Sequence, residues 1–162
     1  MTRRSVVFLA VAVAALLGCR QAPRTDHAQV DIDAIKQVRE KEIAGLRDGR
    51  ADDFIAVVTS DAVFLPPDEP AVTGHDAIRR WAQGMLDQFT VTGGYTSSDV
   101  TVAGDWAIER YAGTMTVTPR KGGAPVEEHL RGIHVYRRQA DGSWRIAQDI
   151  WNSGAPAANA SR

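Results

Sequence analysis

Cysteine is almost absent from this 162-residue chain, which carries a single one, Cys19. One thiol cannot form an intramolecular disulfide, and it cannot supply the repeated cysteine ligands of a structural zinc site. An excess of charge of one sign is missing as well, because 19 basic residues stand against 20 acidic ones. The sequence has no basic stripe that would follow a phosphate backbone, so it excludes nucleic acid as a partner.

A long hydrophobic run is also missing, although a short one lies near the amino terminus. Residues 6–17 are twelve apolar or small residues in succession, whereas a helix that spans a membrane needs about twenty. Arg3 and Arg4 precede this run, and no acidic residue lies near them. A positive start followed by a short apolar core is typical of a secretory signal, so we predict a signal peptide over residues 1–18.

The apolar core stops at Leu16-Leu17-Gly18-Cys19, which resembles the lipobox of bacterial lipoproteins. The resemblance implies that Cys19 becomes a lipidated amino terminus, and attachment by more than one acyl chain is stable. Arg20 follows the cysteine, which in Gram-negative lipoproteins resembles the pattern for outer-membrane sorting, with the domain facing the periplasm. We therefore expect an exported protein that is anchored to the cell envelope, with residues 19–30 as a polar tether.

Helices are predicted for the first part of the chain after the tether. Apolar residues recur at three- and four-residue steps over 32–46, and Gly49 can close this first helix. A second helix is predicted over 52–58, followed by a brief strand over 62–65. Thr73 is the predicted N-cap of a third helix. The apolar face of that helix consists of Ile78, Trp81, Ala82, Met85, Leu86 and Phe89.

The apolar period changes to two residues after Gly93, which is typical of strands. Strands are predicted over 95–102, 106–118, 127–138 and 143–151, with glycine-containing turns between them. Helices followed by antiparallel strands are typical of an α+β domain, here over residues 31–153, with a disordered tail at 154–162. A curved sheet folded against three helices makes a cone with one open mouth, where small ligands usually bind.

The most specific pattern of the sequence lies in its last predicted hairpin. Residues 141–151 read Asp-Gly-Ser-Trp-Arg-Ile-Ala-Gln-Asp-Ile-Trp. They resemble the closing hairpin of the SnoaL-like branch, also described as domain of unknown function 4440, of the nuclear transport factor 2-like superfamily. Weaker matches occur in the same order at Gly49, Asp61-Ala62-Val63, Gly74-His75-Asp76-Ala77-Ile78 and Glu109-Arg110. The resemblance implies a cone-shaped α+β fold, with three amino-terminal helices on a curved and mainly antiparallel sheet, often forming a homodimer across the outer sheet face.

The resemblance does not imply one activity, because the superfamily includes isomerases, dehydratases, epoxide hydrolases, cyclases and non-catalytic binders. Its ketosteroid isomerases need a carboxylate base and two buried proton donors. Aligned onto this sequence, the base position falls on Pro66, and the donor positions fall on Glu42 and near Ile133. No carboxylate lies from residue 62 to residue 67, so the sequence argues against isomerase chemistry of that kind.

Glu109 and Asp149 are the acidic residues that are best placed for chemistry. Glu109 shares a strand face with Tyr111, and Asp149 shares one with Trp151, while Arg131 lies on the strand between. If the charged groups point into the cone, they are similar to the acid–arginine–acid cluster with which epoxide hydrolases of the superfamily activate water. The alternative, which we favour, is a buried ion network that closes the barrel.

His134 is a further candidate for acid–base catalysis, as in the His/Asp chemistry of dehydratases in the superfamily. A single histidine in a strand is more often a hydrogen-bonded wall residue, and that alternative stays open. His129 lies beside Glu127 and Glu128, but the spacing of this group to His134 is irregular for a metal site. The sequence therefore predicts no metal and no cofactor.

Five residues are the predicted pocket walls: Phe64, Trp81, Met85, Tyr111 and Trp151. Such a pocket suits a small, largely apolar or aromatic molecule, although core packing explains the same residues equally well. Our leading hypothesis is a lipid-anchored domain that binds such a molecule, with no reaction established. One alternative is a hydrolase, dehydratase or isomerase that uses the acidic residues in the cone. Another is an interaction module whose outer sheet face binds a second copy or an envelope protein.

Overall fold

The computed structural model describes residues 24–154. The predicted signal peptide and the lipidation site at Cys19 lie outside the described residues and stay predictions. Of the tail predicted over residues 154–162, Gly154 belongs to the last strand, and the rest lies outside the described residues. Within residues 24–154, no helix is both long enough and apolar enough to cross a membrane.

The first helix, α1, spans Arg24–Arg47. It begins directly after Pro23 and extends into the segment that we predicted as a tether, because no proline interrupts the chain between its two ends. Its buried stripe includes Ile35 and Ile43. The chain leaves the helix through Gly49, whose φ of 70° lies in the left-handed region that glycine favours.

The second helix, α2, spans Ala51–Ile55 and packs against α1. It is shorter than predicted, because Val58 already belongs to the first strand, β1 (Val58–Leu65). A Cβ atom at Gly45 of α1 would lie 2.5 Å from the backbone nitrogen of Phe54. Glycine at position 45 therefore allows the two helices to approach backbone to backbone.

The third helix, α3, spans His75–Gln88, and its N-cap is Gly74 without a side-chain cap hydrogen bond. The prediction of Thr73 as the N-cap is wrong. Thr73 instead belongs to a two-residue strand, β2 (Val72–Thr73), in which it pairs with Val63 of β1. Thr73, which the local sequence pattern assigned to the start of the helix, is thus part of the sheet.

One sheet of six strands follows the order β2-β1-β6-β5-β4-β3. Strand β1 runs parallel to β6, and the other neighbouring pairs are antiparallel. The predicted α+β architecture, with helices on a mainly antiparallel sheet, is confirmed. The four long strands are β3 (Phe89–Ala103), β4 (Trp106–Pro119), β5 (Val126–Arg138) and β6 (Trp144–Gly154).

The hydrophobic core lies between the helices and the inner face of the sheet, because α1 packs on β3 and β6 while α3 packs on β1. The alternation along each strand sends every second side chain into this layer. Its largest fully buried apolar members are Phe54, Phe64, Ile35, Ile78 and Ile146.

The outer face of the sheet carries a row of exposed apolar side chains. Ile150 pairs with Ile133 on one side and with Leu65 on the other. These side chains, together with Ile108 on β4, are between 39% and 53% exposed. This is the face across which the resemblance implies a dimer, and the homodimer stays a prediction.

The amino-terminal half of α1 is attached to the carboxyl end of β5 by a charged contact. Arg138 of β5 donates two hydrogen bonds to the carboxylate of Asp31, each 2.7 Å long. Trp144 Nε1 donates a third, of 3.1 Å, to the same carboxylate. The Arg138 guanidinium and the Trp144 donor lower the pKa of Asp31 below its ordinary value of 3.8, against an opposing effect of burial.

We predict that Asp31→Asn destabilises the domain by about 1–2 kcal/mol at pH 7, because it breaks the double hydrogen bond to a cation. A carboxyl with a lowered folded pKa stabilises the protein above the pKa of the unfolded chain, and this contribution is lost as the pH falls through the folded pKa. The difference in the free energy of unfolding between wild type and Asp31→Asn should therefore shrink as the pH falls below about 3.8. Urea unfolding measured across this pH range checks the prediction.

The matched control is Asp33→Asn, since Asp33 is 61% exposed and contacts Lys36 at 3.5 Å. Its effect should stay below about 0.5 kcal/mol at every pH. Equal destabilisation by the two variants, or a gap at Asp31 that does not change with pH, would contradict the assignment.

Candidate functional site

A cavity of about 590 Å³ opens between α1, α3 and the concave face of the sheet. Its walls are mainly apolar, which is typical of sites that bind small molecules. The apolar side chains that line it include Phe54, Phe64, Trp81, Met85, Val91, Met115, Leu130 and Trp151.

All five predicted pocket residues line this cavity: Phe64, Trp81, Met85, Tyr111 and Trp151. Three of them pack edge to face. The ring centroid of Phe64 lies 6.4 Å from those of both Trp81 and Trp151, and the two indoles lie 5.8 Å apart. Trp81 Nε1 also donates a hydrogen bond of 3.0 Å to Glu69. The aromatic wall is therefore held in one arrangement.

The floor of the cavity is polar and consists of two tyrosine–carboxylate pairs. The hydroxyl of Tyr95 donates to Glu42 Oε2 at 2.5 Å, and the hydroxyl of Tyr111 donates to Asp149 Oδ1 at 2.9 Å. All four side chains line the cavity. The floor thus exposes oxygen atoms, whereas the walls of the cavity are mainly apolar.

His134 lies directly beneath this floor, at the centre of a row across three strands. Strand register places it opposite Glu109 on β4 and opposite Asp149 on β6. Its Nδ1 lies 3.1 Å from Glu109 Oε2, while its Nε2 lies 3.4 Å from Asp149 Oδ1 and 3.6 Å from Glu42 Oε1. The ring is fully buried and stacks on Tyr111 at a centroid distance of 4.4 Å.

Glu109 is fully buried and accepts hydrogen bonds from three side chains. Arg39 of α1 donates to Oε1 at 2.7 Å, and Tyr136 donates to Oε2 at 2.6 Å, beside the contact from His134. Burial alone would raise the pKa of Glu109. The hydrogen bonds and charges of His134, Tyr136 and Arg39 outweigh burial and hold the pKa at about 2. Glu109 is therefore an ionised partner of Arg39.

The pKa of His134 is raised well above its ordinary value. Burial by itself would lower it, but the charges of Asp149 and Glu42 and the contact with Glu109 act in the opposite direction and are stronger together. In the absence of another cation, the imidazole therefore carries two protons and balances the surrounding acids.

The tyrosines of the site keep their hydroxyl protons. Burial raises the pKa of Tyr95, Tyr111 and Tyr136, and neighbouring carboxylates raise it further. Each hydroxyl thus donates its hydrogen bond to a carboxylate, and the lone pairs of its oxygen remain free to accept a hydrogen bond from another group.

Arg131 does not join the cluster, so the predicted acid–arginine–acid arrangement is wrong. Arg131 is exposed, whereas His134 and Tyr136 of the same strand are buried. The reason is strand parity, because residues 131 and 134 differ by an odd number and point to opposite faces. The guanidinium that pairs with Glu109 comes from Arg39 of α1 instead.

The predicted catalytic residues divide between the cavity and the layer behind it. Asp149 lines the cavity, as does Tyr111, but Glu109 and His134 are not among the lining residues. His129 lies apart from this group, where its Nε2 is 3.3 Å from Glu127. Pro66, at the position of the isomerase base, lines the cavity without offering an acid.

Four members of the cluster were not singled out as a group by the sequence: Arg39, Glu42, Tyr95 and Tyr136. A partial signal existed, because Glu42 interrupts the apolar stripe of α1 and Arg39 precedes it by three residues, on the same helix face. Tyr136 is two residues from His134 and therefore shares its strand face.

One group in the described part of the chain has the composition of a metal site. Glu42, His134 and Asp149 each offer a ligand atom, and these atoms lie within 4.8 Å of one another. All three residues are buried.

The sequence model of the SnoaL-like domain matches residues 40–147, which contain most of the cavity and its floor. The chain belongs to the SnoaL-like domain family. No curated protein matches the chain.

Solved structures share the fold of this SnoaL-like domain at low sequence identity. A proposed scytalone dehydratase from Novosphingobium aromaticivorans is 16% identical with a TM-score of 0.75, over 81% of this chain and 89% of the other. A ketosteroid isomerase-like protein from Erwinia carotovora atroseptica is 21% identical with a TM-score of 0.68, over 78% and 98%. A nuclear transport factor 2-like superfamily protein from Salmonella enterica is 14% identical with a TM-score of 0.72, over 83% and 98%.

We predict that Glu109→Gln destabilises the SnoaL-like domain by about 3 kcal/mol, because it leaves a largely buried guanidinium of Arg39 without its counter-ion. Equilibrium urea unfolding at pH 7 measures the change. The control is Glu40→Gln, since Glu40 is 56% exposed and contacts the same guanidinium at 3.5 Å. Its effect should stay below about 0.5 kcal/mol. A loss of less than about 1 kcal/mol for Glu109→Gln would contradict the role of Glu109 as the internal partner of Arg39.

Proposed function

We propose that this protein is an exported, lipid-anchored member of the SnoaL-like family whose domain binds a small, largely apolar molecule. The observation that carries the proposal is the open cavity, with an apolar wall and a small polar floor. Its volume of about 590 Å³ lies within the range of about 300–1,000 Å³ that is typical of ligand pockets.

The floor favours a ligand that donates a hydrogen bond. The hydroxyl groups of Tyr95 and Tyr111 already donate hydrogen bonds to Glu42 and Asp149. The hydroxyl and carboxylate oxygens of this floor can therefore only accept hydrogen bonds from a ligand. Carboxylates at the floor also repel an anionic group. The proposed ligand is therefore an aromatic or aliphatic molecule without an anionic group, which carries a hydroxyl or amine donor at one end.

A second candidate function is a hydrolase, dehydratase or isomerase. The observation in its favour is the carboxylate of Asp149 on the cavity wall, with His134 at 3.4 Å behind it. The solved neighbours described as a proposed scytalone dehydratase and as ketosteroid isomerase-like share the fold alone. Binding is the stronger proposal, because Glu109 is engaged with Arg39 and does not line the cavity.

The membrane anchor is supported by the amino-terminal sequence. Arg3 and Arg4, the apolar core and Leu16-Leu17-Gly18-Cys19 together are typical of a lipoprotein precursor. An anchored domain of this kind would meet its ligand at the envelope, where apolar molecules concentrate. In a Gram-negative cell, we place it on the outer membrane, facing the periplasm.

Ligand binding is tested with the full protein purified in detergent from its own host and treated with EDTA. Native mass spectrometry should show a small-molecule mass that is lost on denaturation, and 2-naphthol, a neutral aromatic hydroxyl, should bind saturably. Gly84→Leu should weaken 2-naphthol binding at least tenfold. Gly84 lines the cavity, and a Cβ atom there meets nothing within 4 Å, so the leucine fills space without straining the helix.

The matched control is Asp87→Leu, which adds the same side chain to an exposed position of α3 and should leave 2-naphthol binding unchanged. No retained mass together with no saturable 2-naphthol binding would refute the proposal, as would equal binding by both variants. If the retained molecule gains or loses water, or isomerises, on incubation with fresh protein but not with Asp149→Asn, the enzyme candidate takes its place.

The anchor is tested separately with Cys19→Ala. The variant should leave the membrane fraction or accumulate as an unprocessed precursor, because no acyl chains can be added. Fractionation with immunoblotting measures both outcomes. Gln21→Ala is the control and should be processed as the wild type is. Unchanged processing and membrane association of Cys19→Ala would rule out lipid attachment at this residue.

A further inference from the structure

Three potential metal ligands converge beneath the cavity floor from three different elements. Glu42 comes from α1, His134 from β5 and Asp149 from β6. His134 Nε2 lies 3.6 Å from Glu42 Oε1 and 3.4 Å from Asp149 Oδ1. Two atoms that both bond one zinc ion at about 2.0–2.2 Å, with a tetrahedral angle between them, are about 3.3–3.6 Å apart. The two distances from His134 Nε2 thus fit ligands of one shared cation, and all three ligand atoms lie within 4.8 Å of one another.

An unsatisfied nitrogen points into this space. His134 is fully buried, and its Nε2 has no hydrogen-bond partner of acceptable geometry among the described residues. A buried polar atom without a partner costs about 1–3 kcal/mol and calls for an explanation such as an ion. Asp149 Oδ1 at 3.4 Å and Glu42 Oε1 at 3.6 Å both lie farther from Nε2 than the roughly 2.7–3.2 Å of a well-formed hydrogen bond, but at distances that suit co-ligands of one cation.

The surroundings hold each ligand in the orientation that metal binding requires. Glu109 lies 3.1 Å from His134 Nδ1, so it can accept a hydrogen bond from a proton on Nδ1, which leaves the lone pair of Nε2 free. Tyr95 donates to Glu42 Oε2, and Tyr111 donates to Asp149 Oδ1. Carboxylate–histidine pairs and hydrogen-bonded ligating acids of this kind are the usual outer support of metal sites.

Charge and access are consistent with an occupied site. Two carboxylates and one neutral imidazole carry two negative charges, which one divalent cation neutralises. Glu42 and Asp149 both line the cavity, so a cation between them would keep an open side facing any ligand. Three protein ligands with one open position are typical of catalytic rather than structural zinc sites.

We propose that Glu42, His134 and Asp149 bind one divalent transition-metal cation of the zinc type at the floor of the cavity. A mixed nitrogen–oxygen ligand set suits zinc better than magnesium or calcium, which prefer oxygen alone. The proposal does not rest on the binding of a small apolar molecule. The competing occupant of the same space is a proton on Nε2, which would give an imidazolium between two acids and no metal site.

The test is a calorimetric titration of ZnCl₂ into the full protein, purified in detergent without a histidine tag and stripped with EDTA. Zinc should bind with one-to-one stoichiometry. His134→Gln and Asp149→Asn should each weaken binding at least tenfold, while circular dichroism confirms that both variants fold. His129→Gln is the matched control, because His129 pairs with Glu127 near the surface and should not affect the site. Nitrogen-15 NMR of the wild type should show the Nε2 signal of His134 shifting on addition of zinc.

Two results obtained with the wild-type protein alone would overturn the proposal. One is the absence of saturable zinc binding to wild type, and the other is a His134 Nε2 signal that zinc does not move. Binding that survives in His134→Gln and Asp149→Asn, or that is lost in His129→Gln, would place the cation on the surface instead. The zinc titration contains no 2-naphthol, and the 2-naphthol assay contains no metal. A negative result in one experiment therefore refutes only the proposal that this experiment tests.

Discussion

The ionised groups around His134 are the constraint on which the rest of this domain depends. Burying a charge without compensation costs far more than a domain of this size can tolerate. Here Glu109, Glu42 and Asp149 are buried together with His134, and the partly buried Arg39 pairs with Glu109. Because Arg39 and Glu42 belong to α1 while the others belong to the sheet, satisfying these charges fixes the position of the helix over the concave face. The cavity exists in its observed shape because the helix is held there.

The side chain of His134 separates two different environments, that of Glu109 in the interior and that of Asp149 at the cavity. Behind His134, Glu109 is saturated by Arg39 and Tyr136 and lies away from the cavity. In front of it, Asp149 lines the cavity and retains acceptor capacity. The Nε2 atom of His134, which has no hydrogen-bond partner among the described residues, lies 3.4 Å from Asp149. Two acids that the sequence presents as an equivalent pair therefore differ in the structure, since one is an internal ion partner and the other is open to the cavity.

Membership of the SnoaL-like family places the chain on a fold that serves several chemistries, and the details of the floor decide among them. Pro66, which the sequence aligns with the base of the isomerases of this superfamily, lines the cavity and carries no acid. An aromatic wall and acceptor oxygens line the same cavity, and this combination favours our proposal of a hydroxylated ligand. A cation shared by Glu42, His134 and Asp149 would add an electrophilic centre to the same floor.

The sequence by itself determined the class of fold, since the periods of 3.6 and 2 residues report which face of each element is buried, and this depends only on local geometry. It also determined that Glu109 shares a face with Tyr111 and Asp149 with Trp151. Tertiary structure alone decided that His134, and not Arg131, lies between the two acids, because strand register is set by pairing between distant segments. It likewise decided that Arg39 supplies the counter-ion, because the docking of α1 onto the sheet follows from long-range packing that no local pattern encodes.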